Sequence, residues 1–256
     1  MKRIGPIRTR RNLLAASGLL AGAALSQVAI RKANAGNGQG GNGQGGGGAC
    51  FLRGTHLLTT DGERKVEDLH IGDLLTTLSG EAKPIQWIGR RVYKRSTGTN
   101  YPQSVLPVRV PRGALGPGKP HCDLFISQHH ALWVDGLLIQ AIDLIKGSSI
   151  GIVSAAELSE IEYLHVKLPQ HNVIFAEGAP CETLLVHSGN VERFDNFAEY
   201  LRLYGEDAAE EAACAPIAIK DGRDRLLSRL RSAVSPWFDC RNEFDKARDR
   251  IEELAD

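Results

Sequence analysis

Cys50-Phe51-Leu52-Arg53-Gly54-Thr55, followed by Val66-Glu67-Asp68-Leu69-His70-Ile71-Gly72-Asp73, decides how this chain is read. Upstream of it, Gly36 to Gly48 contains only Gly, Asn and Gln. That stretch has no apolar surface to bury, so residues 36–49 read as a flexible linker and order begins at Cys50. Downstream, as far as about Gly189, short apolar stretches alternate with the turn pairs Asp61-Gly62, Ser79-Gly80, Asp135-Gly136 and Glu177-Gly178. Between the turns, Ile85-Gln86-Trp87-Ile88, Val108-Arg109-Val110, Leu124-Phe125-Ile126 and Leu164-His165-Val166-Lys167-Leu168 read as strands. The alternation in the last one predicts one buried and one solvent-facing side. Many short strands, glycine turns and no sustained helical period give a mainly β body over residues 50–189.

Beyond Gly189 the period changes. Phe194, Phe197, Ala198 and Leu201 fall at helical spacing, as do Leu226, Leu227, Leu230 and Val234, and again Phe244, Ala247, Ile251 and Leu254. Residues 190–256 are therefore expected to form a helical C-terminal region. Its apolar stripes are packing faces, against the β body or against a partner protein, rather than ligand sites.

The first 35 residues read as an address and stand outside the fold. Lys2, Arg3, Arg8, Arg10 and Arg11 precede a moderately apolar run from Leu13 to Ile30. Thr9-Arg10-Arg11-Asn12-Leu13-Leu14 resembles a twin-arginine export signal, and Ala33-Asn34-Ala35 has the small-x-small form of a cleavage site. The expectation is an exported protein, periplasmic or extracellular, whose mature chain starts at Gly36 and has no stable membrane insertion. The alternative is an uncleaved anchor, which the many Ala and Gly residues of the run disfavour.

Charge and cysteine content narrow the rest. In 256 residues, 31 Lys+Arg against 30 Asp+Glu leave a net charge of +1, with no basic arm for nucleic acid. The five cysteines, at 50, 122, 181, 214 and 240, are an odd number, so at least one is unpaired within the chain. No C-x-x-C or H-E-x-x-H is present and the glycine run lacks a following Lys-Ser/Thr. No metal and no cofactor is expected, although His129, His130, His165 and His171 would have to be near one another to hold zinc.

Four segments together resemble the Hedgehog/intein (Hint) family of self-processing domains. Such domains open with a Cys or Ser, then Gly-Thr, then V-x-x-L-x-x-G-D, as residues 50–73 do. Ile126-Ser127-Gln128-His129-His130-Ala131-Leu132 is similar to the block that supplies a Thr or Ser and a His three residues apart. Tyr163 with His171-Asn172-Val173-Ile174-Phe175-Ala176 is similar to the late block that supplies a further His. Phe175-Ala176-Glu177-Gly178-Ala179-Pro180 and Cys214-Ala215-Pro216 look like the bacterial branch of the fold. The likeness is close over residues 50–189 and loose over 190–235. It implies a Hint fold of many short strands with a helical C-terminal appendage.

The resemblance also implies a chemistry. Cys50 is the expected nucleophile, attacking the carbonyl of Ala49 to exchange a peptide bond for a thioester. The leaving nitrogen needs a proton, for which His130 is the candidate, with Ser127 orienting the scissile peptide by hydrogen bonding. His171 is the candidate for assisting breakdown of the tetrahedral intermediate or resolution of the thioester. The substrate is thus the protein's own upstream peptide, and water or an external nucleophile is the second reactant. Two departures argue against splicing. Ser188 stands where splicing relatives end in Asn, and Leu164 replaces the Asp found near Tyr163 in many inteins. Two other readings stay open: a non-catalytic exported structural or adhesion module, and a thiol hydrolase acting on other molecules. The module reading draws support from the upstream product, which after signal removal is only a glycine-rich scrap.

Overall fold

Type I′ geometry closes two of the hairpins. Asp135 (φ 49°) with Gly136 (φ 85°), and Glu177 (φ 48°) with Gly178 (φ 76°), place both central residues in the left-handed region. That twist matches the flanking strands and permits two-residue loops. The first turn joins strands Ala131–Val134 and Leu137–Gln140, the second Val173–Ala176 and Ala179–Glu182. The computed structural model describes residues 48–95, 100–145, 149–187, 189–205, 210–218, 222–236 and 239–254, with only the backbone of 222–226 and 229. The export signal expected over residues 1–35, the linker up to residue 47 and the Ser188 position lie outside the described residues.

The strands form two sheets. The first runs, edge to edge, Gly151–Ile152, Val108–Val110, Leu124–Ile126, Phe51–Leu52, Ile161–Lys167, Trp87–Tyr93. The second has nine strands. Its main path is Ile217–Ala218, Leu137–Gln140, Ala131–Val134, Ala179–Glu182, Val173–Ala176, His56–Thr59, Leu74–Thr76, Ala82–Pro84, and Gly62–Lys65 also pairs with His56–Thr59. Pairing is antiparallel except between Leu137–Gln140 and Ile217–Ala218. Phe51, Leu57, Leu75, Ile126, Leu132 and Ile174, contributed by both sheets, lie in one main core. This mainly β architecture, with helices concentrated at the C-terminus, is the one expected from the turn spacing.

Phe51–Leu52 is only two residues long yet lies in the middle of its sheet. Phe51 pairs with Ile126 on one side and Leu164 on the other. Cys50, one residue earlier, is thereby drawn inside and is 3 % exposed. It belongs to a second apolar cluster with Trp87, Tyr163, Leu184, Phe194 and Tyr200.

The strand Ile161–Lys167 departs from the one-sided reading. His165 and Lys167 are buried, like Leu164 and Val166. His165 packs against the Phe51 and His130 rings, whereas the cover over Lys167 comes from chain beyond residue 189. The Lys167 ammonium pairs with Glu211 at 2.7 Å and sits 5.3 Å from the centre of the Tyr204 ring. Pairing and ring contact compensate a lysine that would otherwise stay in water. Gly89 explains how this cover attaches. A Cβ at residue 89 would come within 2.6 Å of the Phe194 ring, so only glycine lets that ring lie on the strand. Phe194 in turn meets Trp87 edge-on at 5.2 Å.

Four helices are described: α1 (Ala141–Leu144), α2 (Phe197–Tyr204), α3 (Gly222–Val234) and α4 (Glu243–Glu253). The last three match the three apolar stripes. A capping box starts α4, with Asn242 Oδ1 accepting from Asp245 N at 2.9 Å and Asp245 Oδ2 from Asn242 N at 3.1 Å. Phe244, Ala247 and Ile251 of α4 enter the main core, so this helix is integral to the body rather than appended to it. On α3 the expected packing stripe stays open, with Leu227, Leu230 and Val234 exposed. α3 is held instead through polar groups: Ser228 bonds Asp245, and Arg231 Nε pairs with Asp245 at 2.6 Å.

Candidate functional site

Ser127 holds the peptide before Cys50 from three directions. The Cys50 amide donates to Ser127 Oγ at 2.8 Å, and Ser127 Oγ donates to the Gly48 carbonyl at 2.6 Å. The Ser127 amide donates to the Cys50 carbonyl at 2.9 Å, extending the Phe51–Ile126 pairing by one step. A hydroxyl has one proton, and here it points at Gly48, which leaves a lone pair facing the Cys50 N–H. The Ala49–Cys50 peptide is therefore flanked by fixed hydrogen bonds on both sides.

The chain then turns tightly. His130 N donates to Ser127 O at 3.1 Å, while Gln128 anchors the bend through Nε2 to the carbonyls of Gln103 (2.6 Å) and Leu106 (3.0 Å). This turn is what makes three-residue spacing useful, since it brings the side chains of residues 127 and 130 to the same strand end. The His130 ring packs 4.3 Å from the ring of Phe51 and 5.0 Å from that of His165. His129 goes the other way. It is exposed, with Nδ1 3.2 Å from Gln140 Oε1.

Burial sets the protonation of this group. It pushes the Cys50 thiol well above its ordinary value, with the Arg91 charge opposing. It pulls His130 down to about 4, against the opposing influence of Glu182, and holds His165 far below the usual imidazole range. At neutral pH the resting site is thus a thiol beside two neutral imidazoles.

His171 lies next to this group rather than on the peptide. Its Nδ1 lies 3.0 Å from the Cys214 amide nitrogen, and its Nε2 faces Glu182 Oε2 at 3.5 Å. Burial disfavours charge on His171, but the Cys214 and Glu182 side chains outweigh it and raise its pKa to about 9. The carboxylate of Glu182 is shared: its other oxygen accepts from the Ala131 amide at 2.7 Å, directly after His130. One buried acid therefore connects His171 to the segment carrying His130.

The structure thus brings Ser127 onto the Cys50 peptide and His130 onto Phe51, and links His171 in through Glu182. Neither Glu182 nor His165 had been assigned a part in this chemistry. Glu182 carries no local signal, because only the pairing of Cys181 with Leu132 places it beside Ala131. His165 had a signal in the strand Leu164–Leu168, where it sits among residues buried on both faces. All five cysteines are free thiols, Cys50 and Cys181 buried and the others exposed.

A small central strand is thus begun by a buried cysteine, with a Ser–x–x–His turn folded against it. The family described as Hint domain matches residues 49–188, more than half of the sequence, and the chain belongs to that family. Solved structures similar to it include the gp41-1 intein (11 % identity, TM-score 0.38), covering 53 % of this chain and 98 % of that one. A bacterial intein-like domain from Clostridium thermocellum is 14 % identical with TM-score 0.38, covering 54 % of this chain and 100 % of that one. A DnaB intein from Synechocystis is 10 % identical with TM-score 0.37, covering 54 % and 99 %. No curated protein matches the sequence.

Proposed function

We propose that this Hint domain cleaves its own Ala49–Cys50 peptide bond through an N-to-S acyl shift, without splicing. The observation that carries the reading is the Ser127 hydroxyl, bonded at once to the Cys50 amide and the Gly48 carbonyl. Cys50 Sγ attacks the Ala49 carbonyl carbon while its proton passes to a neutral imidazole, that of His130. The carbon–nitrogen bond of the tetrahedral intermediate then breaks as His130 returns the proton to the Cys50 nitrogen. Ala49 is left as a thioester on Cys50. Water adds to that thioester, giving the Ala49 carboxylate and restoring the thiol, and His171 with Glu182 assists this second half.

A raised thiol and a depressed imidazole make a standing thiolate–imidazolium pair costly, so proton transfer accompanies attack rather than preceding it. General acid–base help of this kind contributes roughly 10²–10⁴-fold, and the fixed peptide supplies positioning.

The test is the intact mass of purified protein incubated with dithiothreitol or hydroxylamine. Release of a fragment ending at Ala49 is expected from wild type and is abolished in Cys50→Ala. Wild type that keeps its full mass after prolonged exposure to strong nucleophiles overturns the reading in favour of a non-catalytic module. Export by the twin-arginine route is proposed on the Thr9-Arg10-Arg11 segment alone.

A further inference from the structure

A second group of chemically capable side chains lies apart from Cys50 and shares none of its residues. His121, Cys122 and Glu177 each offer a donor atom, and the three atoms lie within 4.8 Å of one another. They come from separate parts of the fold. His121 and Cys122 precede the strand Leu124–Ile126 of the first sheet, and Glu177 occupies the Val173–Glu182 hairpin turn of the second. Backbone bonds fix the meeting point. The His121 amide donates to the Glu177 carbonyl at 2.8 Å, and the Glu177 amide to the His56 carbonyl at 2.9 Å.

Three features set this cluster apart from a chance surface contact. Glu177 sits at a left-handed position of a type I′ turn, where Asn, Asp or Gly is the usual choice and a longer side chain is strained. It is nevertheless buried there, its two oxygens shared between His56 Nδ1 at 3.0 Å and the Cys122 thiol at 2.9 Å. Gly178 beside it forms a seat for the imidazole, since a Cβ there would lie 2.9 Å from His121 Cδ2. Finally, His121 Nε2 contacts Glu63 Oε1 at 2.7 Å. Such a carboxylate partner orients a metal-binding imidazole and raises its basicity.

We propose that His121, Cys122 and Glu177 bind a zinc ion that clasps the two sheets together. One nitrogen, one sulfur and one oxygen donor suit zinc, whose bonds of about 2.0–2.3 Å draw tetrahedral ligands to within roughly 3.5 Å of each other. His121 and Cys122 are exposed and free to close that gap. On binding, the sulfur–zinc bond replaces the S–H bond and the proton now shared with Glu177 leaves to solvent. A fourth position remains for water. The carboxylate–thiol–imidazole set is too soft for calcium or magnesium, which prefer oxygen alone.

The experiment uses the full chain carrying Cys50→Ala, which removes the processing nucleophile, reduced with a phosphine rather than a competing thiol. Cobalt(II) is added as a spectroscopic probe, and zinc affinity is read by competition with a chromophoric chelator. One equivalent of cobalt should give a thiolate-to-cobalt charge-transfer band that zinc abolishes. Cys122→Ser should remove the band, His121→Ala should weaken zinc binding at least 100-fold, and Cys240→Ser should change neither. Glu63→Gln should weaken binding about 10–100-fold, the range for a carboxylate that supports a ligand. Circular dichroism of each variant separates lost ligation from lost folding. No band in the parent protein, or a band and affinity unchanged by both Cys122→Ser and His121→Ala, overturns the proposal.

Discussion

Ser127→Ala is the sharpest perturbation of the proposed chemistry, because it deletes one oxygen and leaves the backbone intact. The hydroxyl makes two bonds, one at 2.8 Å from the Cys50 amide and one at 2.6 Å to the Gly48 carbonyl. Ser127 is 2 % exposed, so water does not freely replace it. At about 0.5–1.5 kcal/mol net per bond, losing both removes roughly 1–3 kcal/mol of the order imposed on the peptide. If all of that acts in the transition state, the acyl shift slows by roughly 5–150-fold. The bond between the Ser127 amide and the Cys50 carbonyl survives, so the strand pairing persists and the fold should be retained. The assay is a time course of intact mass under dithiothreitol, with circular dichroism as the check on folding. A folded Ser127→Ala protein that releases the Ala49 fragment at the wild-type rate would show that the hydroxyl does not hold the reacting peptide.

The pH dependence of stability should be dome-shaped, with its maximum near pH 6–7. His130, lowered to about 4 by burial, contributes stability that is present above the ordinary imidazole value and lost as pH falls through 4. His171, raised to about 9, contributes stability present below the ordinary value and lost as pH rises through 9. Each limb is worth about 3 kcal/mol, and Glu182→Gln should flatten the alkaline one; chemical denaturation at a series of pH values reads both, and an unchanged alkaline limb contradicts the pairing. Gly89→Ala forces a methyl group against the Phe194 ring and should cost about 1–3 kcal/mol, read as a lower denaturant midpoint. Replacing Arg10 and Arg11 with Lys should leave the precursor inside the cell, and N-terminal sequencing of exported protein should start at Gly36. Exported protein that begins at Met1 contradicts the cleavage site.

The legible parts of the fold were those encoded locally. Asp135-Gly136 announces a hairpin because both residues favour left-handed backbone, and at Glu177-Gly178 the glycine alone carries that signal. The helical stripes gave three helices because their period is local too. What surrounds an element is not local, and the misreading of one strand came from there. The segment Leu164–Leu168 reads as half exposed, yet Tyr204 and Glu211 cover Lys167 from more than thirty residues away. The α3 stripe reads as a packing face against the body or a partner; within this chain Leu227, Leu230 and Val234 stay exposed, and Ser228 and Arg231 hold α3 to Asp245. In the candidate site, Cys50, Ser127 and His130 are close to strand ends and turns whose pattern the sequence shows. Glu182 enters only through sheet register, which single-sequence spacing does not fix.

The chemistry of the buried group bears on the choice between a processing domain and an inert module. A core that served packing alone would be more stable with Leu or Phe at 130 and 165, since a buried imidazole is deprived of water at both nitrogens. Burial instead keeps both rings neutral, and neutral imidazole is the form able to take the proton of a thiol. Glu182 makes the same point. Set between the Ala131 amide and His171, it places a negative charge where an imidazolium at His130 would form during attack. In the resting site that charge pairs with His171, and during attack it also stabilises the imidazolium forming at His130. Glu182→Gln keeps an acceptor for the Ala131 amide but removes the charge. It should therefore slow thioester formation above pH 9, where the His171 pairing no longer contributes stability, and an unchanged rate there would show that this charge takes no part in the attack.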